Sequence, residues 1–149
     1  MSKHYNVINV CYDEGDDSTP ALTSVERSTP YGNIAALAVS SPEDADIVNQ
    51  WDGARIADYK IQMQLAHKKD VDYRHRAKGM KELIDNVKDF CDEATVKKME
   101  KQYFSMLKRA AKERKKYSDM NKNYSSFCDN LLSERRKVRA KMEKLHADE

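Results

Sequence analysis

Between Val96 and Leu145, apolar side chains recur in alternating steps of three and four. The positions are Val96, Met99, Tyr103, Met106, Ala110, Glu113, Tyr117, Met120, Tyr124, Phe127, Leu131, Glu134, Val138, Lys141 and Leu145. Twelve of the fifteen are apolar or aromatic, and the residues between them are mostly charged. That spacing lays one stripe along one side of a helix, so the helix must bury it against another helix.

A second stripe precedes it: Ile56, Tyr59, Met63, Ala66, Asp70, Tyr73, Ala77, Met80, Ile84, Val87 and Cys91. The step of five from Cys91 to Val96 breaks the rhythm. Asp92 is suited to cap a new helix there, with Glu93 in its first turn. A reversal near residues 92–95 would set Val87 against Met99, Ile84 against Tyr103, Tyr59 against Phe127 and Ile56 against Leu131. One very long helix passing straight through is the alternative. The same register brings two polar layers together. Tyr73 would face Glu113 and Asp70 would face Tyr117, each phenol donating to a carboxylate, and such layers fix register. Gly79 and the run Ser118–Ser126 are weak helix formers. Each stripe keeps its phase through them, so continuity is expected rather than a compact bundle.

The expected fold is therefore all-α, a long antiparallel helical hairpin of coiled-coil type over residues 41–149, with helices at about 42–91 and 95–146. Residues 1–40 precede it as an arm, extended or in short strands. In that arm, residues 5–12 are rich in β-formers with Ile8, Val10 and Tyr12 on one face. Residues 13–20 form an acidic turn, too crowded with carboxylates for a calcium loop. Thr29-Pro30-Tyr31-Gly32-Asn33 reads as a turn, and Ile34 to Val39 as a strand or a helical turn. Ser41 caps the first helix with Pro42 at its first position and Glu43 and Asp44 behind. Ile47, Val48 and Trp51 are then expected inside, with Gly53 at a kink or a phase slip. Trp51-Asp52-Gly53 has the spelling of the WXG motif of secreted effectors. In that family the motif joins two long helices of similar length, whereas only about ten expected helical residues precede it here, and the chain is not read as a member.

Composition supports helices with a narrow buried stripe in one domain. In 149 residues, 40% are hydrophobic, 35% charged, and mean hydropathy is −0.89. That is polar for a compact globule and too periodic for disorder. The formal charge of +2 conceals an asymmetry. Residues 1–50 carry two bases against eight acids, and residues 97–144 carry sixteen bases against six acids. The candidate contacts for an anionic partner are Arg109, Lys112, Arg114, Lys115, Lys116, Arg135, Arg136, Lys137 and Arg139. As a set they wrap around the helix rather than forming one stripe. A solvated face, a pairing with the acidic arm, and non-specific nucleic-acid binding all remain open readings. The basic residues overlap the apolar stripe instead of preceding it, which excludes a basic-zipper reading.

Chemistry is sparse. The four histidines form no ligand spacing, and no P-loop, dinucleotide fingerprint or nucleophile elbow is present. No enzyme activity, metal or cofactor is expected. Cys11, Cys91 and Cys128 are widely spaced and odd in number, which favours reduced thiols over a disulfide framework and an intracellular setting. Cys91 and Cys128 read as small apolar residues on or beside the stripes. No run is long or apolar enough for a membrane span or a secretion signal, so no membrane partner is expected. The expected function is that of a non-enzymatic structural or assembly protein, a helical virion or phage component being one such style. It would act through protein partners, as a homo-oligomer or part of a larger assembly, in the cytoplasm or in a particle assembled there. A nucleic-acid-binding regulator using the basic second helix is the alternative.

Overall fold

A computed structural model describes residues 7–15, 19–41, 44 and 48–148. The order of elements is β1 (Val7–Asp13), β2 (Leu22–Thr29), β3 (Gly32–Val39), α1 (Gln50–Val87) and α2 (Glu93–Ala147). The chain is thus mostly helical, with a small antiparallel sheet at its N-terminal end. The two helices occur as expected, and what resembled an arm is a three-stranded sheet in the order β1-β2-β3. The residues fall into two compact units, Met1–Gln62 with Lys122–Glu149, and Met63–Asn121. Each helix contributes to both.

The first unit is built on the sheet. Pairing of β2 with β3 sets Thr23 opposite Ala38, Val25 opposite Ala36 and Arg27 opposite Ile34. Ala21, Thr23, Val25, Ile34, Ala36 and Ala38 are buried, so one face of this alternating pair is packed. α1 covers that face. Thr23 packs on the backbone of Gly53, where a Cβ would collide with the threonine Oγ1. Gly53 therefore marks a close approach of helix to strand. Asp58 of α1 accepts from Arg27 Nε and Nη2 of β2, both at 2.7 Å. Ala57 and Ile61, one and two turns on from Gly53, are fully buried. The β2–β3 turn uses Pro30 and Tyr31, with Gly32 at φ +94°. Only glycine adopts that conformation freely. Thr29 Oγ1 locks the turn by accepting from Tyr31 N and donating to Gly32 O.

α1 begins at Gln50 and not near residue 42. Asn49 Oδ1 accepts from the amides of Trp51 and Asp52, while Asp52 Oδ2 accepts from Asn49 N. This reciprocal cap satisfies orphan amides at the start of the helix. Ser41 instead donates to Asp44 Oδ2; Pro42, Glu43 and Ile47 lie outside the described residues. The cap turns Trp51 outward, 70% exposed, and Asp52 inward, 1% exposed. This reverses the expectation of an inward tryptophan, because helix phase follows from the cap and not from the hydrophobicity of one residue.

On the α2 side of the first unit, the stripe is covered from Tyr124 through Leu131, with Tyr59 stacked on Phe127 at 4.7 Å and tilted against Tyr124 at 5.8 Å. Beyond Leu131 the stripe is uncovered: Glu134, Val138, Lys141 and Leu145 are exposed. At the register of the Tyr59–Phe127 pair, Gln50 lies opposite residue 136, so α1 supplies no partner farther out.

The second unit is helical throughout. α1 ends at Val87, a turn covers Lys88–Phe90, and Asp92 Oδ1 accepts from Thr95 N at 2.9 Å to start α2. The bonds from Thr95, set against a smaller desolvation effect, hold the Asp92 carboxyl below the usual range. Cys91 lies exposed in this turn and belongs to no stripe. His67 meets Tyr117, and Asp70 meets Arg114. As numbers rise along α1 they fall along α2, which is antiparallel pairing. Ala66, Ala77 and Ala110 are almost fully buried, and small residues at a seam let helix backbones approach closely. α1 passes through Gly79 and α2 through Ser118–Ser126 without interruption.

Candidate interaction surfaces

The basic residues of α2 divide into two groups, those engaged inside a unit and those left at the surface. Arg114 reaches Asp70, its Nε at 3.3 Å from Oδ2 and its Nη2 at 3.2 Å from Oδ1. Arg74, one turn along α1, adds a third bond at 3.0 Å. Asp70 is 3% exposed and is met by guanidinium groups. The Tyr117 ring lies instead on His67 at 5.3 Å, and Tyr73 is half-buried. Glu113 Oε2 is buried with no hydrogen-bond partner among the described residues. The polar layer therefore holds Asp70 by charge, which a phenol matches less well than a fork of N–H donors.

In the first unit, Arg135 Nη2 donates to Asp52 Oδ1 at 2.7 Å, and its Nε is buried without a partner among the described residues. The Asp52 bond, ahead of the smaller opposing effect of burial, raises the Arg135 pKa further. Arg136 grips Asp44 with two bonds, at 3.1 and 2.7 Å. That pairing, ahead of opposing desolvation and the Ser41 bond, holds the Asp44 carboxyl below its ordinary range. Arg139 lies 4.0 Å from Glu143. Arg114, Arg135 and Arg136 thus serve their own fold. Arg109, Lys112, Lys115, Lys116 and Lys137 stay exposed.

A cleft of about 240 Å³ in the first unit opens between the sheet, the start of α1 and α2. Thr23, Asp52, Lys60, Tyr124 and Cys128 are among its walls. Lys60 Nζ sits 5.6 Å from the Tyr124 ring and donates to the Leu37 carbonyl at 2.7 Å. Burial, then the Cys128 hydrogen bond, pushes the Tyr124 hydroxyl up to about 12. Two aspartates of its wall, Asp44 and Asp52, are paired with Arg136 and Arg135. Among the described residues, no three His, Cys, Asp or Glu side chains gather as metal ligands.

Apolar surface is left uncovered on the sheet. The face away from α1 carries rows of directly paired residues: Asp13, Leu22 and Val39, then Cys11, Ser24 and Leu37, then Asn9, Glu26 and Ala35. Leu37 is 47% and Val39 55% exposed. Val10 of β1, on the α1 side of the sheet, is also largely exposed. No described helix covers the outer face, and β1 and β3 are both edge strands. Sequence reading missed this surface because Ile34 to Val39 is apolar at every position and shows no inside or outside. No described helix is long and apolar enough to cross a membrane. No protein-family model, curated protein or solved structure matches the chain.

Proposed function

We propose that the protein is a non-enzymatic assembly component that docks through the outer face of its sheet onto a second copy of the chain. The observation that carries this is the row of exposed Leu37 and Val39 beside Leu22 on a sheet with two open edges. Exposed apolar sheet surface with unpaired edge strands invites association. A two-fold arrangement sets the same patch against itself, and Leu22, Leu37 and Val39 give it an apolar part that can meet its own copy, with its two acids, Asp13 and Glu26, in the outer rows. The helices support the sheet as a coiled-coil-like antiparallel pair whose stripe, polar layer and arginine bonds fix register. Homo-oligomerisation, or incorporation into a larger assembly, follows from this reading.

The test is solution mass by light scattering across a concentration series. The intact chain should reach a multiple of 17.2 kDa, and a Leu37→Lys/Val39→Lys variant should stay at 17.2 kDa with unchanged helix content. A wild-type chain that stays at single-chain mass throughout overturns the reading.

A further inference from the structure

Once the internally engaged arginines are set aside, five lysines of α2 in the second unit fall into line. Lys98, Lys101, Lys108, Lys112 and Lys115 share the three-four steps of the buried stripe, with Ser105 filling the one remaining position. Each lies two residues beyond a stripe position, from Val96 through Glu113. Two residues turn a helix by about 200°, so this second line runs along the opposite side. All six positions are exposed, and the five lysines form no ion pair among the described residues. Arg109 and Lys116 flank them and are also exposed. The acids of this stretch are elsewhere: Glu113 on the buried stripe, and Glu100 off the line.

We infer that this line is a binding surface for the phosphate backbone of a nucleic-acid duplex, read without regard to sequence. From Lys98 to Lys115 the line extends about 25 Å at 1.5 Å per residue. Duplex DNA presents one charge per about 1.7 Å of axis, so a straight row of point charges meets a dense row of phosphates. Lysine supplies charge without the planar fork that reads guanine, which suits backbone contact rather than base readout. Single-strand binding needs a succession of stacking rings, and one exposed aromatic, Phe104, borders the line. A membrane-surface helix needs an apolar face opposite its lysines. Here that face is the stripe packed against α1 within the unit. Unlike docking through the sheet, this surface needs no second copy of the chain.

The test is fluorescence anisotropy of the full chain with two 20-base-pair DNA duplexes of unrelated sequence, over a salt series. Both should bind alike, with affinity falling as roughly the fourth to fifth power of salt, the slope for about five released counterions. Lys108→Glu/Lys112→Glu/Lys115→Glu should weaken binding by roughly a hundredfold or more at low salt. Lys137→Glu/Lys141→Glu/Lys144→Glu makes the same change in net charge away from the line and should bind nearly as wild type. Circular dichroism confirms that both variants remain helical. No binding at low salt, equal loss in the two variants, or tighter binding to anionic phospholipid vesicles or polyglutamate than to DNA overturns the inference.

Discussion

α1 runs under a sheet in one unit and packs on helix alone in the other, and its two glycines record the difference. At Gly53 the space that a side chain would fill is occupied by Thr23 of β2. At Gly79 nothing lies within 4 Å of that space. The same residue type is thus a packing requirement in the sheet-bearing unit and a weakness in the helical one. The charges differ in a parallel way. Near the sheet, the buried Asp52 and Asp44 pair with Arg135 and Arg136. In the helical unit only Arg114 and Arg74 turn to a buried acid, Asp70, and the lysines opposite the stripe remain in solvent.

Gly53→Ala gives the largest expected effect. The collision involves strand-borne Thr23, so β2 or α1 must shift, and stability should fall by about 2–3 kcal/mol in urea melts. A neutral result would mean that the helix does not lie this close to the strand. An intermediate effect is expected from Asp44. Its carboxyl pKa is held below the unfolded value of about 3.9, chiefly by Arg136. The stability it contributes is therefore complete above about pH 4 and is lost as pH falls through the lowered folded value. Arg136 is more than half exposed, so the contribution should be about 1 kcal/mol. In thermal melts, Asp44→Asn should trail wild type at pH 7, and the two should converge at strongly acid pH. The smallest effect belongs to Gly79→Ala, which should stabilise by about 0.5–1 kcal/mol because alanine restricts the unfolded chain and meets no neighbour. If both glycine substitutions acted in the same direction, the contrast between the two settings of α1 would fail.

The helices and their turn were legible because a repeated three-four step carries its own register. Asp92 was legible as a cap, since few residue types serve there. The start of α1 was misplaced because Ser41-Pro42 carries a familiar signal. The reciprocal cap Asn49-Gln50-Trp51-Asp52 was also written in the chain, and it alone explains why Trp51 points out. The partner of Asp70 escaped because stripe residues were matched only with stripe residues. Arg114 sits one position off the stripe, and its long side chain reaches in from the flank. The basic line escaped for a related reason. It emerges only after the engaged arginines are removed from the set and Lys98, Lys101 and Lys108 are added to it. The sheet's uncovered face had no periodic signal at all, since Ile34 to Val39 of β3 is apolar at every position.

Cys11 lies in the same outer row as Leu37, and Cys91 lies in the turn between the helices; both thiols are free and exposed. Their rates of alkylation can be followed side by side by peptide mass spectrometry as protein concentration rises. If the outer face of the sheet meets a second copy, Cys11 should become progressively protected while Cys91 reacts at an unchanged rate. A constant ratio of the two rates across the range in which the mass rises would contradict docking through the sheet.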